Sequence, residues 1–486
     1  MISLKDILYK VGIQAVVGNP QVIISNIQFD SRLVELNDVF VAINGVAVDG
    51  HDYIEKAVYK GALVVICERL PQNQVNGVTY IQVDDSQKSL AVIAANYYDN
   101  PSEKLKLIGV TGTNGKTTVT SLLWQLFKGA GYKTGLLSTV KICIHNKTIP
   151  ATHTTPNSLD LQKYLSQMVE AGITHCFMEV SSHGIHQRRI EGLHFKGGVF
   201  TNLSHDHLDY HKTFSEYRDV KKSFFDELPK TAFALTNADD KNGKIMLQNT
   251  NAQKNTYALK SYADYRVNIL ENSFSGMLLR LNDQEVWTKL IGDFNASNLV
   301  AVYAVAEKLG MKSIDILRLI SNLSNVDGRF DYYVSDNNIT AIVDFAHTPD
   351  ALKNVLKTIN SIRTNNETLI TVVGCGGDRD QDKRPLMGGI SAQLSNKVIF
   401  TKDNPRFEEP NKILEEIESG VQASDFKKTI TIQDRKQAIK TAVSMASSGD
   451  IILLAGKGHE NYQDENGVKT PFNDMQIVQE FLKMLA

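Results

Sequence analysis

A short apolar strand that runs straight into a glycine loop and then a helix constrains this 486-residue chain more than any other feature. Leu105-Lys-Leu-Ile-Gly-Val110 reads as the strand, Gly112-Thr-Asn-Gly-Lys-Thr-Thr118 as the loop and Thr118–Gly129 as the helix. Such a loop lets backbone N–H groups curl toward an anion at a helix N-terminus, where the dipole favours negative charge. The strand–loop–helix context is the one a phosphate-binding loop requires. On that reading Gly112, Thr113, Asn114, Gly115 and Thr118 cradle phosphates, Lys116 reaches the terminal ones, and Thr117 offers its hydroxyl to Mg²⁺. The strict pattern asks for glycine at 110, where this chain has Val110. The competing reading is a glycine turn with an exposed lysine.

Short β-rich runs alternate with helical ones almost throughout, which predicts α/β domains with largely parallel sheets. At roughly 100–200 residues per domain, the length allows two to four domains. Ile23–Phe29, Asp38–Ile43 and Gly61–Cys67 read as strands around a helix His51–Gly61, forming a small N-terminal α/β domain over residues 1–100. The polar turn Asp99-Asn-Pro-Ser102 ends it. A central phosphate-loop domain follows over 101–330, closing after a helical run Ser313–Leu323 and the turn-like Val326–Phe330. Strands at Ala341–Asp344, Thr368–Val373, Lys397–Thr401 and Asp450–Ala455, separated by helices, predict a C-terminal Rossmann-like, doubly wound domain over 331–486.

Net charge is -2 with a sequence pI near 6.6, which points to neither nucleic acid nor an anionic membrane as partner. Lys5 and Asp6 break the first apolar run, so no signal peptide is expected, and no apolar stretch approaches a membrane span. Cys67, Cys143, Cys176 and Cys375 are isolated and without a CxxC pair, consistent with a reducing cytoplasm. A cytoplasmic, monomeric chain is the expectation.

Several polar groups suit chemistry beside the loop. Cys176–Val180 reads as a buried strand ending in the Glu179 carboxylate, a hard oxygen ligand suited to Mg²⁺. Asn202–His211 is dense in histidine and aspartate; zinc is the competitor there, though neither HExxH nor paired cysteines accompany it. Lys221 reads from sequence as an ordinary surface lysine, like its neighbour Lys222. Val373–Asp380 follows a strand but fails the dinucleotide fingerprint, because Arg379 stands where its third glycine belongs. Arg379, Asp403-Asn-Pro-Arg406 and Gly456-Lys-Gly-His-Glu460 follow strands whose C-terminal ends converge in an open parallel sheet. Two arginines and two acids there suit a group bearing both a carboxylate and an ammonium, the planar arginine fork matching the carboxylate.

Thr111-Gly-Thr-Asn-Gly-Lys-Thr-Thr118 resembles the variant phosphate loop of the Mur ligase family and its folylpolyglutamate synthetase relatives, which place threonine before the glycine turn. The resemblance spreads in order over nearly the whole chain. It implies an ATP-dependent amide-bond ligase that works through an acyl phosphate, with Mg²⁺, in cytoplasmic peptidoglycan synthesis. Its implied substrates are ATP, UDP-N-acetylmuramoyl-L-alanyl-D-glutamate and an amino acid. Within it, His207 matches a histidine that holds a second Mg²⁺, beyond the one expected at Thr117 and Glu179, and Lys221 matches a lysine carbamylated to N6-carboxylysine, an anionic ligand between two cations. Catalytic roles then fall to Lys116, Glu179, His207 and Lys221. Thr154, Thr155, Ser181, Gln187 and Arg189, with Ser31 in the first domain, match the UDP-muramoyl-dipeptide site; Asn295 and Asn298 match the adenine side. Asp403, Asn404, Pro405 and Arg406, with Arg379, Gly456 and Glu460, resemble the meso-diaminopimelate pocket, lysine-adding members differing where Arg406 stands. A lysine-adding ligase, a folate-type polyglutamate ligase and a phosphate-loop regulatory switch are the alternatives.

Overall fold

The computed structural model describes residues 2–45, 48–206 and 210–485. Its centre is an eleven-stranded sheet in the order Lys147–Pro150, Lys141–Ile144, Thr134–Leu137, His175–Glu179, Lys106–Thr111, Gly197–Phe200, Phe233–Asn237, Gln253–Ala258, Tyr265–Ser273, Gly276–Leu281, Gln284–Thr288. Pairing is parallel from Thr134–Leu137 to Tyr265–Ser273, and antiparallel hairpins close both edges. The middle strands are buried almost end to end, the signature of a parallel sheet covered on both faces. Ile108, Val110, Phe177 and Val199 point to one face, under the helices Lys116–Gly129 and Asp293–Lys308. Leu107, Cys176, Met178 and Phe200 point to the other, under Ser158–Glu170 and Phe214–Asp226. Lys116–Gly129 buries Val119, Leu122, Leu123, Leu126 and Phe127, one stripe at helical spacing that presses its N-terminus against the sheet's C-terminal edge. Truncating one of these leucines to alanine would cost about 2–5 kcal/mol.

The last sheet runs Asp331–Val334, Thr340–Asp344, Ile451–Ala455, Leu369–Val373, Lys397–Phe400, Thr429–Thr431. The four expected strands are there within a residue or two. An antiparallel strand, Asp331–Val334, and a parallel one, Thr429–Thr431, extend the edges. Side chains alternate: Leu369, Val373, Val398 and Leu453 meet helices Pro349–Ile362, Lys383–Leu394 and Pro410–Glu418, whereas Ile370, Val372, Ile399 and Leu454 meet Arg435–Met445 and Asp474–Met484. Helices on both faces make this sheet doubly wound, as expected.

A five-stranded sheet drawn from residues 13–83 forms the N-terminal α/β unit. Here the expected strand Ile23–Phe29 is broken. Ile23–Ile24 pairs with Ile2–Ser3 in a separate two-stranded ribbon, and Ile27–Gln28 joins the main sheet. Asn26 between them turns its side-chain oxygen onto the Ile27 N–H at 2.9 Å, taking a donor that a continuous ladder would use. The expected helix His51–Gly61 is likewise divided, into a 3₁₀ turn Gly50–Tyr53 capped by Asp49 and a helix Ile54–Tyr59. The run Ser313–Leu323 is helical only over Ser313–Ile320. All four cysteines are buried and free, and among the described residues no helix is long and apolar enough to cross a membrane.

Candidate active site

The phosphate loop leaves the strand Lys106–Thr111 through two glycines in the positive-φ region, Gly112 (149°) and Gly115 (86°). A side chain at Gly112 would run into Thr201 Oγ1, and one at Gly115 would lie 2.8 Å from Asn298 Oδ1. The next strand's end holds the loop in shape. Thr113 N donates to Asn202 O at 2.8 Å, Asn114 N to Asn202 Oδ1 at 2.9 Å, and Thr201 Oγ1 to Asn114 O at 2.6 Å. With these bonds made, the helix N-terminus is open toward a cavity of about 1210 Å³ that Lys116, Thr117 and Thr118 line. Lys116 Nζ curls back onto the carbonyls of Gly112 (2.9 Å) and Thr113 (2.8 Å). Burial lowers its pKa, while the charges of Glu179 and Asp206 oppose that shift.

Glu179 is 1% exposed and spans the site: Oε2 accepts from Thr117 Oγ1 at 3.0 Å and Oε1 from Thr139 N at 2.7 Å. Both oxygens of that pair are hard donors, the kind Mg²⁺ prefers, so the residues fit the expected ion. Among the described residues no cluster of three His, Cys, Asp or Glu completes a metal site, and His207 lies outside the described residues.

Lys221 corrects its sequence reading. It is 1% exposed, and Nζ donates to Gly112 O at 2.9 Å. The helix Phe214–Asp226 packs this face against the loop, whereas Lys222, one position on, pairs with Asp226 at 2.6 Å. Burial, reinforced by the Lys116 charge, holds the Lys221 pKa well below its ordinary value. The lowered pKa favours the neutral amine, the form that reacts with CO₂.

Next to Glu179, four of the residues expected to bind the UDP-muramoyl dipeptide form one network. Thr155 Oγ1 donates to Glu179 O (2.9 Å) and lies 3.1 Å from Ser181 Oγ; Arg189 Nη1 donates to Thr155 O (2.6 Å) and Nη2 to Gln187 Oε1 (2.6 Å). Ser181 also caps the short helix Ser182–His186. Thr154 joins through Thr139 Oγ1 at 3.0 Å.

The third group comes from the C-terminal sheet, and Arg379, Asp403, Asn404, Arg406, Gly456 and Glu460 line the same cavity. Arg406 adopts a left-handed backbone (φ 52°), held by its N–H to Asp464 O (3.0 Å) and by Asn466 N to its carbonyl (2.7 Å). Its guanidinium donates to Gly377 O. Asn404 Nδ2 donates to Glu460 Oε2 at 2.8 Å. Pro405 is buried but does not line the cavity.

Two expected residues stand elsewhere. Ser31 is in the first unit, away from this cavity, beside an Arg32–Asp30 ion pair of 2.8 Å. Asn295 is buried and donates to Ile291 O at 2.9 Å, whereas Asn298 reaches the cavity.

Three residues, Arg329, Asp344 and Lys457, escaped the sequence reading. Arg329, in the turn between the last two sheets, donates from Nη2 to Thr117 Oγ1 at 3.2 Å and has Asp344, Glu179 and Glu460 as its charged neighbours. Asp344 accepts from Phe330 N at 2.6 Å, and burial pushes its pKa up to about 6. The only signal was Val326-Asp-Gly-Arg-Phe330 itself, read as a turn. Lys457 is fully buried among Asp403, Asn404 and Glu460.

Comparison with known proteins agrees with this architecture. Three family models cover most of the chain: "Mur ligase family, catalytic domain" over residues 23–98, "Mur ligase middle domain" over 110–306 and "Mur ligase, glutamate ligase domain" over 328–458. A protein of Cytophaga hutchinsonii named "UDP-N-acetylmuramoyl-L-alanyl-D-glutamate--2,6-diaminopimelate ligase" is 53% identical over 100% of both chains. Its namesake in Clostridium tetani is 40% identical over 99% of this chain and 100% of its own. A solved structure of a ligase of that name superposes with a TM-score of 0.71 at 32% identity, covering 100% of this chain and 99% of the other. A Mycobacterium tuberculosis folylpolyglutamate synthase shares the fold alone, with a TM-score of 0.62 at 16% identity over 76% of this chain and 92% of its own. With its domain models in order and its relatives matched from end to end, this chain belongs to the Mur ligase family.

Proposed function

We propose that this chain joins meso-2,6-diaminopimelate to UDP-N-acetylmuramoyl-L-alanyl-D-glutamate at the expense of ATP, in cytoplasmic peptidoglycan synthesis for cell-wall growth and division. The observation that carries the reading is the single cavity shared by the phosphate loop, the Thr155–Arg189 network and the Asp403–Arg406 loop. Full-length identity of 53% to a ligase of that name supports the choice of substrates. The division of labour follows the sheets: UDP moiety on the first domain, ATP on the second, amino acid on the third.

In the reaction the D-glutamate carboxylate attacks the γ-phosphorus of ATP, giving an acyl phosphate and ADP. The amine of diaminopimelate then attacks the acyl carbon, the amide forms, inorganic phosphate leaves, and the ammonium proton is released. Mg²⁺, held by Thr117, Glu179 and His207 with carbamylated Lys221, would neutralise charge on the transferring phosphoryl group. Lys116 exchanges its loop carbonyls for phosphate oxygens. Arg329, poised over Thr117, meets the charge that develops on the phosphoryl group. Thr155, Ser181, Gln187 and Arg189 orient the muramoyl peptide, and the arginines near Gly377 take the distal carboxylate of the incoming amino acid. No protein nucleophile takes part; catalysis is positioning and electrostatic stabilisation.

The test is an amino-acid panel run with ATP and the UDP-muramoyl dipeptide, scored by product mass and phosphate release. Diaminopimelate-dependent product is expected. Turnover with lysine alone would move the chain to the lysine-adding class, and phosphate release without an amino acid would favour a regulatory switch.

A further inference from the structure

Lys457 has no part in the chemistry above, yet it is the buried cation of the amino-acid pocket. Its side chain is 0% exposed. It lies in the loop after the strand Ile451–Ala455, between Gly456 (φ 110°) and Gly458 (φ 53°). These two left-handed glycines turn the intervening lysine inward. A side chain on Gly456 would come 2.6 Å from Asp403 Oδ2, and one on Gly458 would press on Phe345 Cβ at 2.6 Å. Neither turn is open to an ordinary residue, so the backbone is built to deliver Lys457 to this spot.

Its ammonium has three donors and finds three acceptors: Asn404 Oδ1 at 3.0 Å, Glu460 Oε2 at 3.2 Å and Asp403 Oδ1 at 3.5 Å. Asn404 closes the ring by donating to the same Glu460 Oε2 at 2.8 Å. Among the described residues, each carboxylate is therefore held through one oxygen. Asp403 keeps Oδ2, and Glu460 keeps Oε1, outside this ring, on residues that line the cavity. Burial and the Asp403 charge push the Glu460 pKa up, and Lys457 with Asn404 opposes them. The lysine thus holds two neighbouring acids fixed in orientation.

We propose that Lys457 is a positioning residue for substrate selection: it clamps one oxygen each of Asp403 and Glu460 so that the other two oxygens receive the distal ammonium of the incoming amino acid. The inference rests on the diaminopimelate reading above and deepens it. Arg406 distinguishes substrates by their distal carboxylate; Lys457, acting through the two acids, distinguishes them by their distal amine.

The experiment pairs a residue with a ligand group. Wild type, Lys457→Met and Lys457→Gln are assayed with meso-diaminopimelate and with 2-aminopimelate, which lacks the distal amine. Lys457→Met is expected to raise KM for diaminopimelate at least about tenfold while kcat and the KM values of ATP and the UDP-dipeptide stay within about threefold. With 2-aminopimelate the same substitution should change KM by less than about threefold, because the amine it serves is absent. Lys457→Gln, which keeps a donor for Asn404, should fall between the two. An unchanged diaminopimelate KM in a folded variant, or equal losses with both amino acids, overturns the proposal. So does failure of both variants to fold, which would make the lysine a part of the fold alone. A wild-type enzyme that ignores diaminopimelate would instead overturn the substrate reading, and that arm is measured first.

Discussion

Lys221 Nζ and the carbonyl of Gly112 lie 2.9 Å apart, so a helix more than a hundred residues downstream is fastened to the phosphate loop by a buried lysine. Desolvation and the nearby Lys116 charge lower that amine's pKa well below the ordinary lysine value, toward the neutral form that can add CO₂. We expect a carbamate: the amine attacks CO₂, a C–N bond forms, and one proton leaves. An electron-density map of a metal- and nucleotide-loaded crystal should show three extra atoms on Nζ. Activity in CO₂-depleted buffer should fall and return on adding bicarbonate. A bare amine in a fully loaded crystal, or activity indifferent to bicarbonate, counts against it.

Among the described residues, Lys116 Nζ bonds only within its own loop, to carbonyls no more than four residues away. Replacing it with alanine should leave the fold intact, because the loop's shape rests on Asn202 and Thr201. Phosphate release should drop by about 10²-fold or more, the scale on which a preorganised charge at a transferring group acts. Wild-type turnover in a folded Lys116→Ala protein would remove the loop from the chemistry.

How much of this could be read from sequence depends on how local each feature is. The phosphate loop was legible because strand, glycines and helix are contiguous between Lys106 and Gly129. Glu179 was legible as the end of an apolar run. The burial of Lys221 was not, since residue type cannot tell it from Lys222; only the packing of Phe214–Asp226 separates an amine bonded to Gly112 from one paired with Asp226. Arg329 sat in a stretch read as a turn and Lys457 in one read as a polar loop, and their roles come from partners that the fold supplies across long separations. The strand Ile23–Phe29 failed for the opposite reason: a single side chain, Asn26, outcompeted an apolar pattern that looked continuous.

Stability should depend on pH through His175. It is 3% exposed, packed between Phe127 and Tyr132, with ring centroids 4.8 Å away in each case, and burial pushes its pKa down to about 4. The unfolded chain takes up this proton near pH 6.5, the folded one only near 4, so the unfolded state binds more protons in between. Its contribution is complete above pH 6.5 and is lost as pH falls toward 4, by an amount on the order of 3 kcal/mol. Denaturant midpoints of wild type and His175→Gln, followed from pH 7 to 4, should converge as the pH drops. Curves that stay parallel would show that His175 keeps no proton linkage.

The choice of amino acid should turn on Arg406. Lysine and meso-diaminopimelate differ by a distal carboxylate, and the pocket must satisfy that extra negative charge. Arg406 can do so because its backbone is fixed in a left-handed turn by Asp464 and Asn466, and its guanidinium is held at Gly377 O. Arg379 is exposed at the same cavity and can join it. With lysine bound, this cationic pair would lie partly desolvated and without its anion. Losing the partner of a part-buried charge costs about 3 kcal/mol, which is a preference of roughly a hundredfold for diaminopimelate. Arg406→Ala should remove most of that preference and depress kcat/KM for diaminopimelate, while KM for ATP stays within about twofold. Initial rates with both amino acids at equal concentration decide it. A wild-type preference for lysine, or an Arg406→Ala protein that keeps its full preference for diaminopimelate, would take the carboxylate away from this arginine.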